Sequence, residues 1–176
     1  MNLLISACLM GVKCRYDGKT KPLACLGQLT DEYTLIPVCP EVLGGLPTPR
    51  VPAERIGDRV ITQDGRDVTS NYEQGAQQAL RMAQMTGCTT ALLKERSPSC
   101  GSGMIYDGTF SGGLCSGDGV CGALLRSMAS TFLGKAVWRS FFRSVSAKQR
   151  NRMHKPSPLS HLNSGRKTNR TNFSLR

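Results

Sequence analysis

Histidine is missing from the first 134 residues of this chain. That absence excludes a Cys-His nucleophile pair, a Ser-His-Asp triad and every His-containing zinc site, unless the C-terminal residues fold back. No CxxC pair occurs anywhere, which argues against a zinc ribbon or a thioredoxin-like redox motif. No apolar run approaches the roughly 18 residues that a membrane-spanning helix needs. The N-terminal MNLLISACLMG has no basic stretch before it and no cleavage-type site after it, so it reads as a first buried strand and not as an export signal.

Acidic residues are missing from the other end. Residues 135–176 carry 11 Lys and Arg and no Asp or Glu, whereas residues 1–134 balance 12 against 12, so the formal net charge of +11 belongs to the tail. The tail holds the single Trp and both His but none of the eight cysteines. With no sustained apolar periodicity after Phe142, it reads as irregular and loosely attached, suited only to non-specific contact with polyanions such as nucleic acid. A C-terminus foreign to the rest of the chain, as a reading-frame change produces, is the other reading. The expected organisation is one folded domain over residues 1–134 and a basic tail over residues 135–176. Eight cysteines without an export signal favour free thiols or metal ligation over a disulfide framework, in the reducing cytoplasm.

Three short apolar runs, Leu3 to Ser6, Thr34 to Val38 and Thr89 to Leu93, have strand length, and each ends at or near a cysteine: Cys8, Cys39 and Cys100. Between the second and third, Ser70 to Gly87 places Ala76, Ala79, Leu80 and Ala83 at helical spacing, with Gly87 as the stop. A further helix runs from Gly119 to about Phe132, with Asp118 as N-cap and Val120, Ala123, Leu124 and Met128 on one face. Residues Gly44 to Arg59 read as a folded loop, and Val60 to Thr62 as a minor strand of a hairpin turning at Asp64-Gly65. Strands alternating with helices predict an α/β fold, a small Rossmann-like parallel sheet with covering helices, and such sheets gather ligands at the carboxyl ends of their strands.

Three single cysteines at three adjacent strand ends, in a part of the chain without His, suit an iron-sulfur cluster with one iron left unligated by protein. Cys14, Cys25, Cys88, Cys115 and Cys121 read instead as small hydrophobes of the interior. The Gly-rich GTFSGGLCSGDG lacks P-loop spacing and reads as a turn leading into a helix.

SACLMG at residues 6–11, RYDG at 15–18, CPE at 39–41, Gly44-Gly45 with Pro49-Arg50, KERSPSCGSG at 94–103 and YDGTFSG at 106–112 together resemble the thiouracil desulfidase family over roughly residues 3 to 126. The resemblance implies a [4Fe-4S] cluster held by Cys8, Cys39 and Cys100. It also implies non-redox removal of sulfur from a small thiolated pyrimidine, whose sulfur meets the iron that has no protein ligand. Glu41 is then the candidate catalytic base, against a role as a loop carboxylate paired with Arg50. Ser97, favoured by the resemblance as a second catalytic residue, and Ser99, as a substrate-binding one, are candidates for orienting the substrate or stabilising charge on the ring, although hydroxyls in an SPS turn commonly bond backbone amides. Arg15 and Asp17 are candidates for contact with the heterocycle's polar edge, against a plain Asp-Gly turn. Beyond Arg126 the family implies a short continuation that finishes the domain, where this chain turns basic.

Two other classes remain at this level. One is a sulfur-transfer or cluster-binding accessory protein that uses the same cysteines without turnover. The other is a nucleic-acid-binding module acting through the tail, which lacks interleaved aromatics for base stacking.

Overall fold

In the computed structural model the described residues are 1–132; the expected division at residue 134 and the basic tail lie outside them. At the centre is β1 (Asn2–Ser6), parallel to β2 (Thr34–Val38) on one side and to β5 (Thr90–Leu92) on the other. Leu3, Leu4 and Ile5 are all buried, the continuous apolar run of a parallel strand covered on both faces. The α/β reading holds, with a sheet of three strands.

A 3₁₀ turn (Ala7–Met10) follows β1 directly and α1 (Leu26–Glu32) precedes β2. After β2 come the short α2 (Pro40–Leu43), an antiparallel hairpin of β3 (Ala53–Ile56) and β4 (Arg59–Thr62), and the long α3 (Thr69–Met85) that returns the chain to β5. A second hairpin, β6 (Met104–Tyr106) with β7 (Leu114–Ser116), leads to α4 (Val120–Phe132).

The hairpin expected around Asp64-Gly65 is displaced. Its turn lies at Gly57-Asp58, because Ala53–Ile56, inside the stretch expected to be loop, is the strand that pairs with β4. The Asp64-Gly65 turn exists as well, folding Arg66 and Asp67 back onto β4. Likewise Leu114–Ser116, read as turn, is a strand supplied with a partner by Met104–Tyr106.

Small residues on α3 set the packing. Ala76, Ala79 and Ala83 are buried together with Leu4, Val38, Cys88, Cys121 and Leu125 in one core. The buried face of α4 centres on Cys121 and Leu125, one position from the expected stripe, while Val120 and Leu124 pack at its margin. At Gly75 the fit is tightest: a Cβ there would collide with the Pro40 carbonyl oxygen, so α2 rests its backbone on α3.

Asp118 does not cap α4 with its side chain. Its Oδ1 accepts from Gly103 N at 2.7 Å and from Arg126 Nη2 at 2.9 Å. The first N–H groups of α4 are satisfied by the loop before it: Val120 N donates to the Pro98 carbonyl, and Cys121 N and Gly122 N to that of Ser99. The SPSC segment is thereby fixed to the start of a core helix.

Candidate cluster and catalytic site

The carboxyl ends of the sheet strands and the loops after them carry the candidate groups. Cys8 lies in the 3₁₀ turn two residues past β1, Cys39 stands between β2 and α2, and Cys100 sits in the loop beyond β5. Cys8 and Cys100 are buried and Cys39 is half-buried; all eight cysteines are free thiols. Burial pushes the Cys8 thiol up, opposed by Lys94 and reinforced by Cys39. Burial pushes Cys100 well up too, with Cys121, Glu41 and Cys39 adding to the rise, while a hydrogen bond with the Ser6 side chain works against it. The charge of Cys39 thus acts on both of the other thiols. Lys94, whose own pKa is lowered first by burial and then by Arg15, lies in the field of Cys8 and Cys100. Ser6 ties the site to the sheet, since its Oγ accepts from Lys94 N at 2.9 Å.

No three His, Cys, Asp or Glu side chains among the described residues converge as one metal ion would require. Cys8, Cys39 and Cys100 come from three separate segments at the strand ends, and thiols from separate segments suit a multi-iron cluster that takes each ligand at a different iron. The donor chemistry agrees: thiols from three segments, cations nearby to favour thiolates, and no imidazole among the described residues. Ser99 Oγ is fully buried with no partner among the described residues, which leaves a hydrogen-bonding group free beside Cys100. The residues fit a [4Fe-4S] cluster.

Beside the thiols lies the carboxylate of Glu41, in the first turn of α2. Arg50 Nη2 approaches its Oε2 at 2.6 Å and Arg50 Nε donates to the same oxygen at 2.8 Å. The guanidinium also donates to the Cys14 carbonyl at 3.1 Å. Ser97 Oγ donates to Oε1 over a long 3.5 Å, and the buried Tyr72 of α3 lies within the field of the same carboxylate. Burial first, and then Glu41, raises the Tyr72 phenol far above its usual value. The loop-carboxylate reading of Glu41 is thus met in one respect, the Arg50 pair, while Oε1 faces Ser97.

Ser97 meets its backbone-bonding reading. Its Oγ accepts from Ser99 N and Cys100 N at 3.1 Å each, the backbone bonding expected of an SPS turn, and its hydroxyl hydrogen points to Glu41. Arg15 and Asp17 bond each other bidentately, at 3.0 and 2.8 Å, and Lys19 N donates to Asp17 in a turn. Arg15 holds the Asp17 carboxyl down at about 2. The Arg15 charge still acts on Cys8, so the pair borders the site with its polar atoms engaged.

Four neighbours of the site escaped the sequence reading: Ser6, Cys14, Tyr72 and Lys94. Ser6 and Lys94 fall inside the motifs SACLMG and KERSPSCGSG, where a hydroxyl at a strand end and a lysine after a strand were the available signals. Tyr72 carried none, because on α3 it occupies an ordinary core-facing position. Cys14 was read as an interior hydrophobe and is buried; its backbone carbonyl oxygen lies 3.6 Å from Cys39 Sγ. Two cysteines depart from the interior reading: Cys115 is exposed and Cys25 half-buried. The YDGTFSG motif is pinned by buried Glu54, whose Oε2 accepts from Gly108 N at 2.9 Å and Phe110 N at 3.1 Å. An apolar cavity of about 210 Å³, lined by Leu4, Leu80, Cys88, Ala91, Leu125 and Met128 among others, holds none of the candidate groups.

The sequence profile of the 2-thiouracil desulfurase family matches residues 3–135. The chain belongs to this family. Among its relatives, the uncharacterized protein YbbK of Bacillus subtilis (strain 168) is 44% identical over 134 residues, covering 70% of this chain and 89% of that protein. Among solved structures, the [4Fe-4S]-dependent thiouracil desulfidase TudS (DUF523Vcz) is 48% identical and superposes with a TM-score of 0.70 over 73% of this chain and 86% of that one. The 2-thiouracil desulfurase match contains every candidate residue, from Cys8 to Cys100. Among the described residues no helix is long and apolar enough to cross a membrane.

Proposed function

We propose that this chain is a [4Fe-4S]-dependent desulfidase that releases sulfide from thiouracil or a close thiolated pyrimidine. Cys8, Cys39 and Cys100 are the cluster ligands, and one iron has no protein ligand. When bound, the cluster supplies a Lewis acid that draws electron density from the C=S group and improves sulfur as a leaving group. The observation that carries the reading is the Glu41 carboxylate, two residues past Cys39, held on Oε2 by Arg50 and turned with Oε1 toward the Cys100 loop.

The remaining work belongs to this chain's own side chains. Glu41 accepts a proton from water as its oxygen bonds to the thiocarbonyl carbon. The proton then passes to the departing sulfur, so that one water and one C=S group become one C=O group and hydrogen sulfide. Arg50 holds the carboxylate in place. Ser97 fixes the loop through two backbone bonds and offers its hydroxyl to Oε1 or to the ring. The Arg15-Asp17 pair borders the binding surface for the heterocycle, whereas Ser99, fully buried, lies beneath it beside Cys100.

Anaerobic cluster reconstitution, followed by incubation with a panel of thiolated bases, tests the reading. Sulfide and the oxo-pyrimidine are expected in equal amounts. A complete cluster that releases sulfide from no thiolated base would make the chain a cluster carrier instead.

A further inference from the structure

We infer that the Ser99 hydroxyl serves the cluster and not the substrate, donating its hydrogen bond to a sulfur at the Cys100 corner of the [4Fe-4S] group. The inference rests on the proposed function in one respect, that Cys100 is a cluster ligand.

Ser99 is 0% exposed, and its Oγ is the one buried side-chain nitrogen or oxygen among the described residues with no hydrogen-bond partner there. The other buried serine and threonine hydroxyls have theirs. Ser6 Oγ accepts from Lys94 N at 2.9 Å, Thr62 Oγ1 from Arg66 N at 2.9 Å, and Ser97 Oγ from Ser99 N and Cys100 N at 3.1 Å each. An orphaned interior hydroxyl is unfavourable, so it marks a partner of another kind.

The loop cannot shift to supply a protein partner. Both backbone groups of Ser99 are engaged, the N–H on Ser97 Oγ and the carbonyl on Cys121 N at 2.9 Å and Gly122 N at 3.1 Å. A Cβ at Gly119 would stand 2.5 Å from the Ser99 carbonyl oxygen, so the start of α4 is packed onto this peptide. The amides that a hydroxyl of an SPS turn ordinarily takes, Ser99 N and Cys100 N, already belong to Ser97. Full burial also removes the hydroxyl from a ring that arrives from solvent, while the next residue is the buried thiol of Cys100.

A hydroxyl donor suits sulfur in that place. Cluster thiolates and sulfides carry negative charge and accept hydrogen bonds, which favour the more negative, reduced state and help to hold the ligand. Ser99 is thus a positioning residue that acts through the cluster and touches no reacting atom.

Ser99→Ala deletes one oxygen and tests this in two states of the full chain. Freed of metal, the variant should melt at or above the wild-type midpoint, since an unpaired hydroxyl has left the interior. Loaded anaerobically, it should yield iron to a chelator about 10- to 100-fold more readily than the wild type, the usual loss with an outer partner of a metal ligand. Its cluster should also have a more negative reduction potential. Opposite effects in the two states separate a cluster contact from a structural bond. A metal-free variant that melts below the wild type would mean that the hydroxyl has a protein partner, and would overturn the inference. Wild-type iron retention and potential in the loaded variant would overturn it too, as would a raised KM alone, which would return Ser99 to the substrate. If the wild type takes up no cluster, the proposed function fails and the inference with it; if it does and Ser99→Ala equals it, only the inference fails.

Discussion

Arg50 grips a single oxygen of Glu41, with Nε at 2.8 Å and Nη2 at 2.6 Å from Oε2. Both side chains are largely buried, at 6% and 14% exposure, so neither charge has water to fall back on. Removing the guanidinium strands a carboxylate, and breaking a buried pair from one side typically costs about 3–5 kcal/mol. Arg50→Ala should therefore lower the thermal midpoint and reduce turnover together. Arg50→Lys keeps the charge but cannot place two donors on one oxygen while also holding the Cys14 carbonyl, so it should recover stability more than activity. Thermal melts paired with sulfide assays decide this.

The ligand set is tested by iron content. Cys8→Ala, Cys39→Ala and Cys100→Ala should each lose the cluster, whereas Cys25→Ala, Cys88→Ala and Cys115→Ala should keep it. A Cys100→Ala protein that still binds about four irons with a [4Fe-4S] spectrum would break the three-thiol account.

Helix packing positions the base. Gly75→Ala drives a methyl group into the Pro40 carbonyl and must push α2, with Glu41, away from α3. Overpacking of this kind costs about 1–3 kcal/mol or more, and activity should fall. An unchanged melt and unchanged turnover would mean that α2 relaxes freely and that its close seat on α3 does not orient Glu41.

Buried thiols give opposite pH dependences to the metal-free and loading reactions. Burial holds Cys121 up at about 12, against an ordinary value of 9.0. Its neutral form is favoured in the folded state, so its contribution to stability is complete below pH 9 and is lost as the pH rises toward about 12. The metal-free protein should melt progressively lower across that window, and Cys121→Ala should flatten the slope. Cluster loading runs the other way. Cys8 and Cys100 are also held up by burial and must lose protons to bind iron, so loading should improve as the pH is raised toward 9. Iron content measured after reconstitution at a series of pH values checks the second trend.

The sheet was legible because parallel strands are short continuous apolar runs, and Leu3 to Ser6 and Thr34 to Val38 stand out as such. The extent of α3 followed from the spacing of Ala76, Ala79 and Ala83. The partners of β3 and β7 did not show, since Ala53–Ile56 mixes charge with apolar residues and Leu114–Ser116 is exposed; pairing across the fold, and not local pattern, makes them strands. Cys39 and Cys14 illustrate the same limit for the site. They stand 25 residues apart, and their meeting depends on how the RYDG loop folds back over β2, with Arg50 N donating to the Tyr16 carbonyl at 2.8 Å.

Glu41→Gln tests the central claim most directly. The amide retains the shape and one donor-acceptor pair but cannot take a proton from water, so the loaded variant should match the wild type in iron content and spectrum. An anaerobic titration with thiouracil should still change that spectrum, while sulfide release falls by about 10²- to 10⁴-fold, the usual loss with a general base. Sulfide released by loaded Glu41→Gln at the wild-type rate would contradict the account and move the search for the base to Asp17.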